Sequence, residues 1–312
     1  MAAARRRTSI GAAAAVALCL FFSARLCASA SATSNGPRIP FRLALSHRLF
    51  LNLNENDARA AVKAWSELVA GQSRMEVVGG PQVLESDEIV RAIANHLVDG
   101  FSITTPEYAK LERFVDPVIF LDDATAKNGI EYLLLVRQDS GIPDLAGLRG
   151  RSLLAFDHVS MTLAPAWLET TLAAASLEAA DRFFGRAAKS TQVSQAVLPV
   201  FFGRADACLV TRRAFDTMCE LNPQLRQRLR ILAVSPPVVA ALMGAHKDAP
   251  FEIKTNLRKA LLELNQTPAG LQILTLFQSQ RIVARDSAAL RPSIELLEQY
   301  ERLLARRAGG KR

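Results

Sequence analysis

The chain has 312 residues, half of them apolar and 22% charged, with a formal net charge of +8. This length permits two lobes with separate cores, and this composition excludes a disordered or fibrous chain. Four arginines in the acid-free first 32 residues carry half of the excess charge; the other basic residues are scattered and aromatics amount to 6%, a pattern that disfavours nucleic-acid binding.

Residues 1–32 read as an export signal. Arg5, Arg6 and Arg7 give a cationic start, and residues 10–22 form an apolar core. That core is shorter than the roughly 20 residues a spanning helix needs. Ala28-Ser29-Ala30 or Ala30-Ser31-Ala32 supplies a cleavage site of small residues. Leu26, directly before Cys27, argues against lipid attachment, and the residues after Arg6-Arg7 match a twin-arginine signal poorly. Export places the mature chain in a bacterial periplasm or outside the cell. Cys19 and Cys27 leave with the signal, while Cys208 and Cys219 remain where a disulfide is permitted. Two separate buried thiols is the simpler reading, and geometry decides. His47, His96, His158 and His246 lie far apart without metal-ligand spacing, so neither a metal nor a cofactor is expected.

After a breaker-rich leader, residues 41–45 alternate into a first strand, and a helix capped by Asn56 or Asp57 runs to about residue 69. A strand at 75–78, a helix from Ser86 to about Leu97 and a strand at 101–103 follow. Thr104-Thr105-Pro106 then opens a short helix bearing Tyr108. Residues 118–121 and 131–137 are further strands; 152–156 is a buried strand leading to a polar loop and a helix from Ala164. Residues 189–195 are read as polar chain entering a helix that breaks at Gly203, and residues 206–210 and 230–234 as strands. The Ser235-Pro236-Pro237 break comes next, residues 238–243 continue extended, and the remainder is read as helical. Strands alternating with helices indicate parallel α/β units. One complete set precedes the strand at 131–137 and a second precedes the Pro-Pro break. The expected architecture is two-lobed α/β with a double-strand hinge: residues 37–133 and 235–312 in one lobe, 134–234 in the other, and a ligand cleft at the strand C-terminal ends.

The stretch from 148 to 168 carries the chemistry. Strand, hydroxyl-bearing loop and helix N-terminus together hold anions well, because the first helical N–H groups have no partners and the macrodipole is positive there. Pro165 suits the first turn of that helix. Ser160 and Thr162 stand two apart and can face one oxyanion; the alternative is that one of them merely caps the helix. His158 is either an anion donor or an exposed loop histidine. Asp206 either pairs with a ligand amine or serves the turn that starts its strand. Asp157, His158 and Ser160 have the residue types of a hydrolytic triad, but they crowd one loop and no nucleophile elbow is present.

Several of these features share a pattern. Leu145-Ala146-Gly147-Leu148-Arg149-Gly150-Arg151-Ser152 with the Ser160-x-Thr162-x-x-Pro165 loop, the Gly203-x-x-Asp206 turn, Asp99-Gly100 with Pro106 and Tyr108, and Ser235-Pro236-Pro237 occur in one order. Over about residues 40–300 this resembles the phosphate/phosphite/phosphonate substrate-binding proteins of ABC transporters. The resemblance implies a type II periplasmic binding protein fold that closes on a small oxyanion and passes it to a permease in the inner membrane. It implies no catalytic residues, a monomer, and ligand contacts from Ser160 and Thr162, with Thr104, Thr105 and Tyr108 from the first lobe. The middle Thr and the Gly of the family's Ser-Thr-Ser-Gly loop are absent here, and Val193 stands where the family often has His, leaving Gln192, Ser194 and Gln195 as the polar groups nearby. Two alternatives stand beside this reading: an orphan binder or sensor with a pocket made apolar by Met161, Leu163 and Val193, and a secreted hydrolase using Ser160 and His158.

Overall fold

Short aliphatic runs between helices fold as two separate main sheets, each with its own apolar clusters. The computed structural model describes residues 38–50, 55–276, 279 and 281–309; the expected export signal and the side chains of Asn56 and Asp57 lie outside the described residues. Pro37–Arg312 is a compact unit by itself.

In chain order the first elements are β1 (Ile39–Phe41), β2 (Leu43–Ser46), α1 (Glu55–Ser73), β3 (Met75–Val77), β4 (Gln82–Leu84) and α2 (Ser86–Ala94). Next come β5 (Gly100–Thr104), α3 (Thr105–Ala109), β6 (Val118–Asp122) and α4 (Asp123–Asn128). A second group holds β7 (Tyr132–Arg137), β8 (Ser152–Phe156), α5 (Ala164–Ala174), α6 (Ala180–Phe183), β9 (Arg186–Ser190) and α7 (Val193–Phe201). It continues with β10 (Ala207–Thr211), α8 (Arg212–Leu221), α9 (Gln224–Arg228) and β11 (Leu229–Val234). The chain ends with β12 (Ala241–Ala245), α10 (Phe251–Glu263), α11 (Pro268–Leu276), β13 (Ile282–Asp286) and α12 (Arg291–Gly309).

One sheet has the order β13-β6-β12-β5-β2-β4, the other β11-β7-β10-β8-β9, and β1 pairs with β3 alongside. The sheets are mixed rather than parallel throughout: β2, β4 and β5 run parallel, as do β8, β9 and β10, whereas β7, β11, β12 and β13 are antiparallel to their neighbours. The antiparallel strands include β7 and β12, which flank the two passages between the sheets. Four short strands escape the sequence reading, the first being β1, which falls largely in the stretch read as leader. β4 and β9 are edge strands, β4 only three residues long and β9 with Arg186 and Lys189 exposed, and β13, an edge strand on β6, follows helices in a stretch read as helical throughout. An edge strand buries only part of its surface, so its side chains show little alternation.

The two passages lie side by side. Ile130 N–H donates to Val238 O at 2.7 Å, Val238 N–H donates back at 3.0 Å, and Ser235 N–H donates to Tyr132 O at 2.9 Å. Gly129 sits at φ 65° with its Cα hydrogen facing Pro237, a place where a side chain would clash. A third passage was not expected. α12 packs on α5 as well as on α3, with Leu296 in the second sheet's apolar cluster and Arg307 paired to Glu169 at 2.6 Å. The C-terminal helix thus packs against helices of both sheets, its apolar face completed by α5. Cys208 on β10 and Cys219 on α8 are both buried and unjoined, and burial pushes the Cys208 thiol up.

Gly100 opens β5 where the fully buried Phe41 ring crosses it, and an added Cβ there would lie 2.5 Å from Phe41 Cζ. Gly100→Ala is expected to destabilise the chain by about 1–3 kcal/mol through overpacking, measured by urea denaturation, with Phe41→Leu restoring part of the loss.

Candidate functional site

Parallel strands place their C-terminal ends on one edge. In the second sheet Phe156, Ser190 and Thr211 end β8, β9 and β10 together, and the loops leaving them carry Ser160 and Gln192. In the first sheet Ser46 and Thr104 end β2 and β5 in the same manner. The turn after β2, His47–Phe50, comes alongside the turn after β8, Val159–Met161. The two C-terminal edges therefore face each other, and the polar loops meet between them.

The loop after β8 is tightly wired. His158 Nδ1 accepts from Ser160 N–H at 3.1 Å and lies 2.8 Å from Ser160 Oγ. Its ring stacks on Phe156, with centroids 5.3 Å apart and planes 5° from parallel. Burial pushes the His158 pKa down, against the opposing charge of Asp157, so the ring is neutral near pH 7. With Nδ1 accepting, the ring proton resides on Nε2, and the Ser160 hydroxyl donates to Nδ1. Thr162 Oγ1 donates to Val159 O at 2.6 Å, which leaves only its lone pairs free. Below the loop, buried Tyr132 donates its hydroxyl to Ser160 O at 3.0 Å and accepts from Leu163 N–H at 3.3 Å. Burial raises the Tyr132 phenol, which stays protonated at any physiological pH.

Beside this loop, the N-terminus of α7 has no side-chain cap. Gln192 at its N-cap is exposed and its Oε1 accepts from Gln195 Nε2 at 3.1 Å, so its carboxamide is turned to its own helix. Thr211 accepts from Ala214 N–H at 3.2 Å and caps α8 at the same edge.

On the facing edge the Thr104 hydroxyl donates to Glu107 Oε2 at 2.9 Å, and Ser46 Oγ donates to Glu107 Oε1 at 2.7 Å. Glu107 is 1% exposed and also accepts from Thr104 N–H at 2.8 Å, so the carboxylate is held by three uncharged donors. Thr105 and Tyr108 do not join the site. Thr105 Oγ1 is spent on Val239 O at 2.6 Å, and Tyr108 packs in the first sheet's apolar cluster with its hydroxyl bonded to Ser287. Their helix starts at the strand end and turns its buried face inward, which the Thr-Thr-Pro spacing does not reveal.

Asp206 is likewise not at this edge. It precedes β10, and its Oδ2 accepts from Ser152 N–H at 2.9 Å and Ser152 Oγ at 2.7 Å, while Ser152 Oγ accepts from Asp206 N–H at 2.9 Å. Ser152 opens β8, so this clasp lies at the strand starts, one strand length away from Ser160. It fastens β8 to β10 and cannot reach a ligand held by the loop.

Sequence reasoning passed over Ser46, Glu107, Tyr132 and Thr211. Tyr132 alone left a signal, as a phenol heading an otherwise aliphatic strand.

The model of the ABC transporter, phosphonate, periplasmic substrate-binding protein family matches residues 55–290. The chain belongs to that family. Its members are transport binding proteins rather than enzymes, and the role the family supports is binding of a solute in the periplasm. Three solved structures agree in fold. XAC2383 from Xanthomonas citri bound to ATP superposes with a TM-score of 0.61 at 18% identity, covering 85% of this chain and 98% of that one. PhnD1 from Prochlorococcus marinus in complex with methylphosphonate gives 0.57 at 16% identity, covering 86% and 99%. The binding protein component of an ABC phosphonate transporter (PA3383) from Pseudomonas aeruginosa gives 0.56 at 14%, covering 85% and 87%. The three matches each cover 85% or more of this chain, which gives it the two-lobed fold of type II periplasmic binding proteins. No functionally curated protein matches the sequence.

The Asp206 clasp gives a test that separates structure from binding. Burial pushes the Asp206 carboxyl up, but the Ser152 hydroxyl and amide, with Arg151, outweigh it and hold the group below the ordinary carboxylate value. A carboxylate with a depressed folded-state pKa stabilises fully above its unfolded value of about 4 and loses that contribution as pH falls further. Asp206→Ala is expected to cost about 1–3 kcal/mol near neutrality by leaving Ser152 N–H unpaired, and less near pH 3. Denaturant titration at both pH values reads this, and calorimetry should find ligand affinity changed by no more than about twofold.

Proposed function

We propose that this chain captures a phosphonate-like oxyanion between its two sheets and delivers it to an ABC permease in the inner membrane. Residues 37–133 and most of 235–312 form one lobe and 134–234 the other, and the lobes close about the paired passages next to Ile130 and Val238. The observation that carries the reading is the juxtaposition of the His47–Phe50 and Val159–Met161 turns, beside a helix N-terminus that no side chain caps. On binding, the Ser160 hydroxyl swings from His158 Nδ1 to a ligand oxygen, and the His158 Nε2–H donates to another. Thr162 acts through Val159, setting the shape of the turn, and the uncapped amides of α7 stand where the family often places a cationic donor. Methylphosphonate in a structural relative of the same fold favours phosphonate over other oxyanions as the first ligand to try.

The reading as an orphan binder with an apolar pocket has less support, because Met161 and Leu163 are packed in the second sheet's core rather than free to line a cleft. The hydrolase reading gains one contact, Ser160 Oγ to His158 Nδ1, but among the described residues no carboxylate bonds to the other ring nitrogen to orient it.

Titration calorimetry of methylphosphonate, phosphite, phosphate, a sulfonate and a carboxylate should show binding to a phosphorus oxyanion and little to the carboxylate. Ser160→Ala should weaken that binding about tenfold or more, since a charge-assisted hydrogen bond contributes about 1.5–3 kcal/mol. Binding of none of the phosphorus ligands would remove the proposal, and ester turnover abolished by Ser160→Ala would replace it with the hydrolase.

A further inference from the structure

At the edge of the second sheet away from Ser160, every strand end carries an arginine. In sheet order they are Arg228 before β11, Arg137 ending β7, Arg204 shortly before β10, Arg151 before β8 and Arg186 opening β9. Strand register brings them to one line. Leu229 pairs with Arg137, Ala207 pairs with both Val136 and Leu153, and Ser152 pairs with Arg186.

Each neighbouring pair of strand ends is tied. Gln138 N–H donates to Arg228 O at 2.7 Å, and Gly185 N–H donates to Arg151 O at 3.0 Å. The Arg137 guanidinium lies against Gly203, so close that a Cβ there would meet its Nη1 at 2.6 Å. The Asp206–Ser152 clasp joins the remaining two. With strands about 4.8 Å apart, five strand ends make a row about 20 Å long.

The charge of this row is only partly answered. Asp139 pairs with Arg137 at 2.5 Å and Asp206 approaches Arg151 at 3.5 Å. Among the described residues, no carboxylate lies within 4.0 Å of the charged nitrogens of Arg186, Arg204 or Arg228, and all three residues are exposed. In the loop that carries Arg204, Phe202 is 60% exposed, with the Arg204 guanidinium 5.8 Å from its ring. Arg228 also lies 5.5 Å from the centroid of the Phe201 ring, but like charges in a line repel one another, and the unanswered part of the row is best met by an anionic counterpart outside the chain. Guanidinium groups match phosphate oxygens in pairs, and an aromatic ring set among cations suits the level of lipid headgroups.

We propose that this arginine-lined edge docks the protein on a bilayer containing anionic phospholipid. Arg186, Arg204 and Arg228 are exposed along one edge, and the exposed Phe202 beside Arg204 is placed to enter the headgroup layer. One exposed ring offers no succession of stacking platforms, which disfavours a nucleic acid. Because Ser160 and the α7 N-terminus sit at the opposite strand ends, a chain docked in this way keeps its polar loops turned from the lipid.

The test is co-sedimentation of residues 37–312, the compact unit that holds all four apolar clusters, with phosphatidylcholine vesicles with and without about one-third phosphatidylglycerol. The expected result is binding to the anionic vesicles alone, falling as salt rises. The triple variant Arg186→Gln/Arg204→Gln/Arg228→Gln should bind about 100-fold more weakly, at about fivefold per arginine, and Phe202→Ser severalfold more weakly. Circular dichroism checks folding, and if the triple variant fails there, Arg186→Gln and Arg204→Gln singly carry the comparison. Equal binding to neutral vesicles, no binding to either, binding undiminished in the variants, or tighter binding to a DNA duplex than to anionic vesicles would overturn the proposal.

Discussion

Tyr132 is the point at which the passages between the sheets, the core and the candidate site are joined. Its backbone is bound on both sides to Ser235, where the chain passes between the sheets. Its ring packs 6.1 Å from Trp167 inside the second sheet's cluster, and its hydroxyl holds Ser160 O and Leu163 N–H from beneath. Burying a phenol without partners costs free energy, so these bonds are kept for as long as the core is intact. The loop that presents Ser160 is thereby tied to the passages between the sheets. The same residue explains why a short polar loop can keep one geometry with little packing of its own.

Around that point the chemistry is sorted by strand direction. β8, β9 and β10 run the same way, so everything that follows them shares an edge and everything that precedes them shares the other. One edge gathers Ser160, His158, the bare α7 N-terminus and Thr211, all suited to accept or replace the hydration of a small anion. The other gathers the Asp206–Ser152 clasp and a row of guanidinium groups. In the first sheet the corresponding C-terminal edge holds Ser46 and Thr104 on the buried Glu107 carboxylate. Among the described residues that carboxylate is held by two hydroxyls and an amide, which fixes the wall at this point.

The fold was largely legible. Buried β-rich runs such as 131–137 and 152–156, Pro165 just inside its helix, and the Pro-Pro return marked elements that are all present, and the order of motifs over residues 40–300 led to the right family. The candidate site can be read in the sequence as a stretch of chain, while the partners of its individual side chains cannot. The loop from 157 to 163 is where the sheets meet, yet the Thr162 hydroxyl is turned to Val159, and Thr105, Tyr108 and Asp206 serve the fold elsewhere. A hydroxyl near an expected site carries no mark of which acceptor it will find, because that depends on which backbone carbonyl packing brings within reach. Edge strands such as β9 and β13 were missed for a related reason: their pairing is chosen by the neighbour, not by their own alternation.

By itself the sequence determined what is local. Helix starts, turn positions, strand-forming runs and the excess of positive charge follow from side-chain shape, capping chemistry and composition. Tertiary structure alone decided which polar groups face one another. Asp206 and Ser160 are both polar residues beside strands of one sheet, but one precedes its strand and the other follows. Only pairing β8 parallel to β10 turns that difference into a separation of a full strand length. The arginines at 137, 151, 186, 204 and 228 are scattered along the sequence and form a row for the same reason, since register, and not spacing, sets which strand ends lie side by side.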